Sequence, residues 1–356
     1  MGITGAWPFW KRTCANAFSK PTKSQLSNKK LAIDGNILCT SCLKSTISTK
    51  HDWKIEYLCM LLQRIMLCYN LSDSWPLIVF DGVHPNCKSH AHAKRQAARE
   101  KAESQLKVAH GTDDVELIER CMRNACRFTK ELEAWTIDIL ERGGISILIA
   151  NGEAEKTCAE LSYRGEIYAV VTEDSDTLVC GGLRILRGIC RKSEITLIDR
   201  DKILKEMHMS PIQFRLWAGI VGTDFHPGLD SIGCVRAKKL ISSLSDDNCH
   251  TEILENKPQD VKTGIYEAIF QFGSWTQEQI IEDDINDEEI LSKIQQEIVQ
   301  NMTANQCLGM DDIVLELDRQ GSFGSPTSIQ NRLNTIYVTE TVVDFIDQNN
   351  EIIFIA

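Results

Sequence analysis

Apolar residues fall along this chain in short β-branched runs, separated by longer stretches in which they recur with helical spacing. The runs are "KLAID" (30–34), "PLIVFD" (76–81), "ISILIA" (145–150), "IYAVVTE" (167–173) and "LRILRG" (183–188). Each is short and apolar on successive positions, the pattern of a strand covered on both faces. Between them, 53–69, 88–107, 114–142 and 154–164 have helical character. Strands alternating with helices predict an α/β fold with a mostly parallel central sheet covered by helices. "EITLID" (194–199) adds a further strand or hairpin arm. Beyond residue 200 the pattern turns helical, through "SPIQFRLWAGIVG" and "CVRAKKLISSL", and acidic helices are expected as far as 304. "GSFGSPTS" (321–328) reads as a linker.

Carboxylates stand where the apolar runs stop. Asp34 follows "LAI", Asp81 follows "LIVF", Glu153 and Glu155 follow "ISILIA" after a short turn, and Asp174 and Asp176 follow "YAVVTE". Strand C-termini of a parallel sheet share one edge, where open α/β folds place their sites. Six carboxylates from four segments therefore converge on one rim. Asp174 and Asp176 are two apart and project to one face if the chain is extended. Glu153 and Glu155 diverge on a regular helix, so both point inward only if Glu153 sits at the turn before the helix properly starts; Asn151 is the expected N-cap, which places Glu153 in the first turn. Carboxylates this close cannot all ionise unaided. Hard divalent cations with oxygen ligands resolve the conflict, and the number of acids suggests two Mg²⁺ ions. Such a pair suits phosphodiester hydrolysis. Glu173, on the opposite face from its neighbours, is expected to act structurally.

Charge at first argues against a nucleic-acid partner, because the net value is −11. Its distribution reverses the argument. Residues 1–110 hold 16 Lys and Arg against 7 Asp and Glu, leaving 23 against 43 in the remainder. A basic part beside an acidic remainder suggests a local surface for a polyanion. Lys88, His92, Arg95 and Arg99 fall at i, i+4, i+7 and i+11, one face of a helix. The fourteen Cys lack metal-ligand spacing, and the single CxxC, Cys39 to Cys42, has no second pair, so free thiols in a reducing compartment are expected. No apolar run reaches the length of a membrane span. "MGITGAWPFWKR" has no signal-peptide core, and Ala6 stands where a myristoylation signal needs Ser or Thr.

Four blocks together resemble the flap endonuclease family of structure-specific 5′ nucleases, the XPG/RAD2-like group. They are "MGITGAW" with "LAIDGNIL", "VFDGVHPNCKSHAHAKRQAAREKA", "GEAEKTCAELSYRGEIYAVVTEDSDTLVCG" and "GIVGTDFHPGLDSIGCVRAKKLI". The likeness runs in order over residues 1 to 245. It implies a PIN-like 5′ nuclease fold with an N-terminal nuclease region and gateway helix (1–107), a helical arch (108–142), and an internal nuclease region with a helix–two-turn–helix (143–245). A C-terminal helical region (246–320) and a tail (321–356) would follow.

The resemblance assigns the family's metal-binding acids to Asp34, Asp81, Glu153, Glu155, Asp174, Asp176 and Asp224. It implies two Mg²⁺ ions, with Mn²⁺ as a substitute, and a K⁺ ion at the helix–two-turn–helix. Lys88 and Arg95 would meet the scissile phosphate as catalytic cations. Gly2, Arg99, Gly233, Arg236, Lys238 and Lys239 would contact DNA, and phosphate contacts of this kind position without reading sequence. "SIQNRLNTIYV" resembles the family's sliding-clamp peptide through Gln330, Leu333 and Tyr337, while Ile336 occupies an aromatic position. The implied activity is hydrolysis of branched DNA at 5′ flaps by endonuclease or 5′–3′ exonuclease cleavage, in replication and repair. The protein would act as a monomer in the nucleus, or at the site of viral DNA replication for a viral member. An exonuclease-1-like or Holliday-junction-resolving relative is the alternative within the group, and a non-catalytic DNA-junction binder the alternative outside it. The short interval between Asp81 and Glu153 leaves no room for the long insertion of the excision-repair relatives. Three positions depart from the pattern: Thr40 replaces a base-stacking Tyr, Ser231 a turn Gly, and Val235 a basic residue.

Overall fold

All five apolar runs and "EITLID" form strands of one seven-stranded sheet in the computed structural model. The structure describes residues 2–47, 53–82, 89–112, 114–191, 193–242, 244, 253–255 and 257–272. Lys88, the acidic helices expected up to 304, the linker at 321–328 and the clamp-like peptide with Gln330, Leu333, Ile336 and Tyr337 lie outside them.

The strands are β1 (Phe18–Ser19), β2 (Leu31–Asp34), β3 (Leu77–Phe80), β4 (Ile147–Ile149), β5 (Ala169–Val171), β6 (Arg184–Arg187) and β7 (Thr196–Asp199), in the order β1-β7-β6-β5-β2-β3-β4. β2 pairs in parallel with β3 and with β5, and the parallel set continues to β4 on one side and β6 on the other. β6 and β7 pair antiparallel, so "EITLID" is the hairpin arm, and the two-residue β1 closes that edge.

Strand side chains divide between two faces with period two. Leu31, Ile33, Ile78, Phe80, Ala169 and Val171 enter one core, while Ala32, Val79 and Val170 enter another. The first face is covered by α3 (Gly35–Thr46), α4 (Trp53–Ser72) and α7 (Lys130–Arg142). α8 (Ala154–Tyr163) lies over the second face, through Ala154, Cys158 and Leu161. Beside α8 a third cluster joins α1 (Ala6–Thr13), α10 (Arg200–Met207), α11 (Pro211–Val221), α12 (Cys234–Ile241) and α13 (Gln259–Gln271). Its centre is aromatic: Phe9, Trp10 and Phe214 surround Trp217 at 5.6–5.8 Å between ring centroids. Pairs of this kind add ~0.5–1.5 kcal/mol each beyond the area they bury. Trp217 Nε1 donates to the Cys234 carbonyl at 3.1 Å, which fixes α12 against α11.

Local signals set most of the boundaries. α11 opens on a capping box, with the Ser210 hydroxyl accepting from Gln213 N and the Gln213 side chain accepting from Ser210 N, and Pro211 follows at the first helical position. The stretch 114–142, expected to have helical character, forms two helices: α6 (Val115–Ala125), capped by Asp114, and α7, capped by Thr129. Thr129 accepts from Leu132 N, so a second helix start interrupts the first. α5 (Ser89–Ala109) packs against α6 and holds the sequence expected to be the gateway helix.

Candidate active site

The chain adds strands on one side of β2, through β3 and β4, and then returns to its other side with β5. The C-terminal ends of β2 and β5 therefore flank a topological switch point, the crevice in which open α/β sheets place their sites. Asp34 ends β2 there and N-caps α3, its Oδ1 accepting from Ile37 N at 3.1 Å. Across the crevice, Thr172 Oγ1 donates to Asp34 Oδ2 at 3.2 Å and accepts from Asp174 N at 3.1 Å. Asp174 Oδ1 then accepts from Asp176 N, also at 3.1 Å. One threonine hydroxyl thus stitches the two central strand ends together.

Two neighbouring segments bring further acids. Asp81, just past β3, is oriented at both ends: its N–H donates to Asn36 Oδ1 at 2.9 Å, and its Oδ1 accepts from Ala154 N at 2.8 Å. Ala154 begins α8, so Asp81 satisfies a donor at that helix terminus. Gly82 permits the close passage, since a Cβ there would lie 1.8 Å from the Ala150 carbonyl oxygen. Glu153 itself is the N-cap residue of α8, in place of the expected Asn151, and Glu155 sits in the first turn; both are buried. Asp224, half-buried, follows α11. Asp174 and Asp176 do not share an extended segment, because β5 stops at Val171 and Asp176 opens the short helix α9 (Asp176–Val179). A turn, not a pleat, sets their relation.

Electrostatics show how crowded the acids are. Burial pushes the Asp34 carboxyl well above the usual carboxylate range; Asp81, Glu155 and Asp174 push it further, against the Ile37 N–H. Asp174 is raised from 3.8 to about 7, first by burial and then by Glu155, with Asp224 adding to the effect. Glu155, Asp176 and Glu153 act together on the buried Cys180 thiol, raising it after the effect of its own burial. Among the described residues no three His, Cys, Asp or Glu side chains close into a ligand shell for one ion. The donor set nonetheless fits a hard divalent cation in kind: all are carboxylates, and the two raised acids are held up by burial and by neighbouring carboxylates.

The N-terminal segment forms part of the same rim. Gly2 has φ +87° and lies so near the turn that a Cβ would stand 2.2 Å from Asp174 Oδ1 and from Ser175 Oγ. Ile3 N donates to Ser175 Oγ at 2.8 Å, and Trp7 Nε1 to the Glu173 carbonyl at 3.1 Å. Glu173 points away from the acids. Its Oε1 accepts from Gly188 N at 2.8 Å, and its Oε2 faces Arg187 Nε at 3.1 Å and Arg191 Nε at 3.6 Å. The Arg187 guanidinium also lies 4.9 Å over the Trp7 ring. Thr172, Asn36 and Ser175 were not singled out from sequence; a small polar residue within two positions of a strand-end acid is the signal that finds all three.

The expected DNA-contacting residues divide. Arg95 lies in α5, and Arg99, one turn on, is half-buried. Gly233 is the N-cap residue of α12, on which Arg236 and Lys239 are exposed. Arg236 Nη1 donates to the Ser231 carbonyl at 2.8 Å, whereas the Lys238 ammonium turns back to the Glu206 carbonyl at 3.2 Å. Ser231 adopts φ +63°, the left-handed conformation that the family's Gly takes without strain. Thr40 is half-buried on α3.

Comparison with known proteins matches residues 1–102 to the XPG N-terminal domain and residues 144–224 to the XPG I-region, together just over half of the chain. All seven acids fall inside those two spans. Flap endonuclease 1 of Drosophila grimshawi is 35% identical over 185 residues, 51% of this chain and 47% of that protein. The Tetrahymena thermophila protein of the same name is 36% identical over 200 residues, 55% and 51% of the two chains. The chain thus spans about half the length of the curated relatives it matches. Among solved structures, the catalytic core of Rad2 in complex with a DNA substrate superposes with TM-score 0.52 at 20% identity, covering 79% of each chain. Flap endonuclease-1 from Methanococcus jannaschii superposes with TM-score 0.51 at 23% identity, covering 70% of this chain and 81% of that one. These two share the fold: a helix-covered sheet of the PIN-like 5′ nuclease type.

Proposed function

The chain belongs to the XPG/RAD2-like family of nucleases, and from that premise we propose that it is a structure-specific 5′ flap endonuclease with 5′–3′ exonuclease activity. The observation that carries the proposal is the crowding of buried carboxylates at the β2–β5 switch point, where Asp34 and Asp174 are held by fixed hydrogen bonds and raised by burial and by neighbouring carboxylates. Asp34, Asp81, Glu153, Glu155, Asp174, Asp176 and Asp224 would hold two Mg²⁺ ions, for which Mn²⁺ can substitute. Bound there, divalent ions supply Lewis-acid activation of water and stabilisation of the leaving oxygen.

The chain's own residues would place the substrate. Gly2, lacking a side chain, lets the N-terminal segment pass against Asp174 and Ser175, and would there contact the DNA backbone. Lys88 and Arg95 would meet the scissile phosphate and stabilise the charge that develops on it. Thr172 and Asn36 keep Asp34, Asp174 and Asp81 in fixed orientation, so the acids need no rearrangement when substrate arrives. On the duplex side, the α12 N-terminus at Gly233, with Arg99, Arg236, Lys238 and Lys239, would contact phosphates without reading bases. A K⁺ ion would sit at the turn before α12. Gln330, Leu333, Ile336 and Tyr337 would dock a sliding clamp. In a eukaryotic cell the protein would act in the nucleus on replication and repair intermediates.

A panel of labelled oligonucleotides with mapped cut positions tests the reading. Cleavage in Mg²⁺ next to the base of a 5′ flap, faster than on nicked or four-way DNA, supports it. Preference for the four-way junction assigns the chain to the resolving branch of the family. Tight flap binding without turnover in Mg²⁺ or Mn²⁺ overturns the enzymatic reading.

A further inference from the structure

Glu133 is a buried acid outside the seven of the rim. It lies in the first turn of α7 and is 8% exposed. Its two oxygens have different partners. Lys130 Nζ donates to Oε1 at 2.6 Å, and Asn36 Nδ2 donates to Oε2 at 3.3 Å. The Lys130 side chain is 70% exposed, so the ion pair adds little stability. Its effect is geometric: the cation engages one oxygen and leaves the other turned to α3. The Asn36 amide passes the contact on. Its Oδ1 accepts from Asp81 N at 2.9 Å, and Asp81 Oδ1 accepts from Ala154 N at 2.8 Å. A backbone N–H can only donate, so Asp81 decides which end of the amide is oxygen, and Nδ2 must then face an acceptor. Glu133 supplies that acceptor.

A relay of hydrogen bonds therefore runs from α7 through the start of α3 to the segment after β3 and on to α8. Its first step joins residues 97 positions apart in the chain. α7 is anchored one turn further on, where the buried Thr136 hydroxyl shares a 3.0 Å hydrogen bond with the buried Tyr57 hydroxyl of α4. Glu133 thus stands on an element fixed to the core, which is what a group that orients another requires. An acid with its own counter-ion and a fixed donor is suited to holding a metal ligand in place rather than to being one. We propose that Glu133 is a positioning residue for the acid rim: it fixes the Asn36 amide, and the amide fixes the main chain at Asp81 in the setting that a divalent ion meets. The inference rests on the proposed function, since Asp81 is an ion ligand only on that reading.

Calorimetric titration of the full chain with Mg²⁺ in the absence of DNA, beside steady-state cleavage of a 5′ flap, tests it. Glu133→Ala is expected to weaken Mg²⁺ binding and to lower kcat, each by about tenfold, the lower end of what groups behind a metal ligand contribute. KM for the flap should not change. Glu133→Gln keeps an acceptor for Asn36 and should restore most of both losses. Adding Glu133→Ala to Asn36→Ala should cost nothing further, because the two residues act through one contact. Melting in EDTA separates positioning from scaffold. A Glu133→Ala protein that melts lower but keeps wild-type Mg²⁺ affinity and kcat overturns the proposal, and so do additive losses in the double variant. A wild type that neither binds Mg²⁺ nor cleaves overturns this inference and the proposed function together. A wild type that does both, beside an unchanged Glu133→Ala, overturns this inference alone.

Discussion

The two sides of the turn between β5 and α9 solve the same problem in opposite ways. Glu173 and Asp174 are consecutive, and both are 4% exposed. Glu173 faces two guanidiniums and a backbone N–H, all supplied by the chain. Asp174 faces Glu155 and Asp224, and its carboxyl is raised to about 7. A buried carboxylate with built-in counter-charge is part of the scaffold. One left among other carboxylates is the kind of group that the proposed cation would neutralise. On the proposed function, the difference separates a structural acid from a functional one within a single dipeptide.

Replacing each residue by its amide should break the symmetry most visibly. Asp174→Asn is expected to lower flap cleavage by ~10³-fold, the scale of losing one group that acts on transition-state charge. Glu173→Gln is expected to leave far more activity and to lower stability instead, read as a lower urea midpoint. The loss should be about 2 kcal/mol, below the ~3–5 kcal/mol of a fully buried pair, because Arg187 and Arg191 are partly exposed. Equal losses of activity in the two variants would erase the distinction. Smaller effects should follow at the residues that orient the rim. Gly2→Ala places a methyl against Asp174 Oδ1 and Ser175 Oγ at a φ of +87°, and should cut cleavage by ~10–100-fold and lower the melting temperature as well. Thr172→Val removes one hydroxyl and should cost ~10-fold in activity, with weaker divalent affinity by calorimetry.

The rim also fixes a pH dependence for the ion-free protein. Asp174 binds its proton more tightly folded than unfolded, so the stabilising effect of that proton is full below 3.8 and is lost as pH rises to about 7. Asp34 shifts in the same direction. In EDTA the melting temperature of the wild type should therefore fall across this interval more steeply than that of Asp174→Asn. Parallel curves would show that Asp174 carries no excess charge.

Much of this arrangement was legible in the sequence, for reasons that differ by residue. The strand ends were readable because buried parallel strands are apolar on successive positions, so "LAID" and "LIVFD" announce both a strand and the acid that stops it. Helices were harder. α3, "GNILCTSCLKST", is rich in Gly, Thr, Ser and Cys, all weak helix formers, and forms because Asp34 caps it and the core takes its apolar side. α1 carries Pro8 inside its first turn, where the missing N–H costs little. β1 is two residues long and exists only as an edge pairing with β7, a tertiary fact without local signal. At the site, the residue types and their common edge were readable. Their orientation was not: the threonine that joins β2 to β5 depends on a contact across 138 positions of chain, and Asp174 and Asp176 are set by a local turn rather than a pleat.

The most direct test of the central claim, that the rim is built around charge it does not itself supply, is the melting temperature of wild type and Asp174→Asn at neutral pH, with EDTA and then with saturating Mg²⁺. In EDTA the variant should melt several degrees higher, because a buried acid in like-charged company has been neutralised. In Mg²⁺ the wild type should rise and overtake it while the variant gains little. A variant that melts lower in EDTA and gains as much from Mg²⁺ as the wild type would contradict the account.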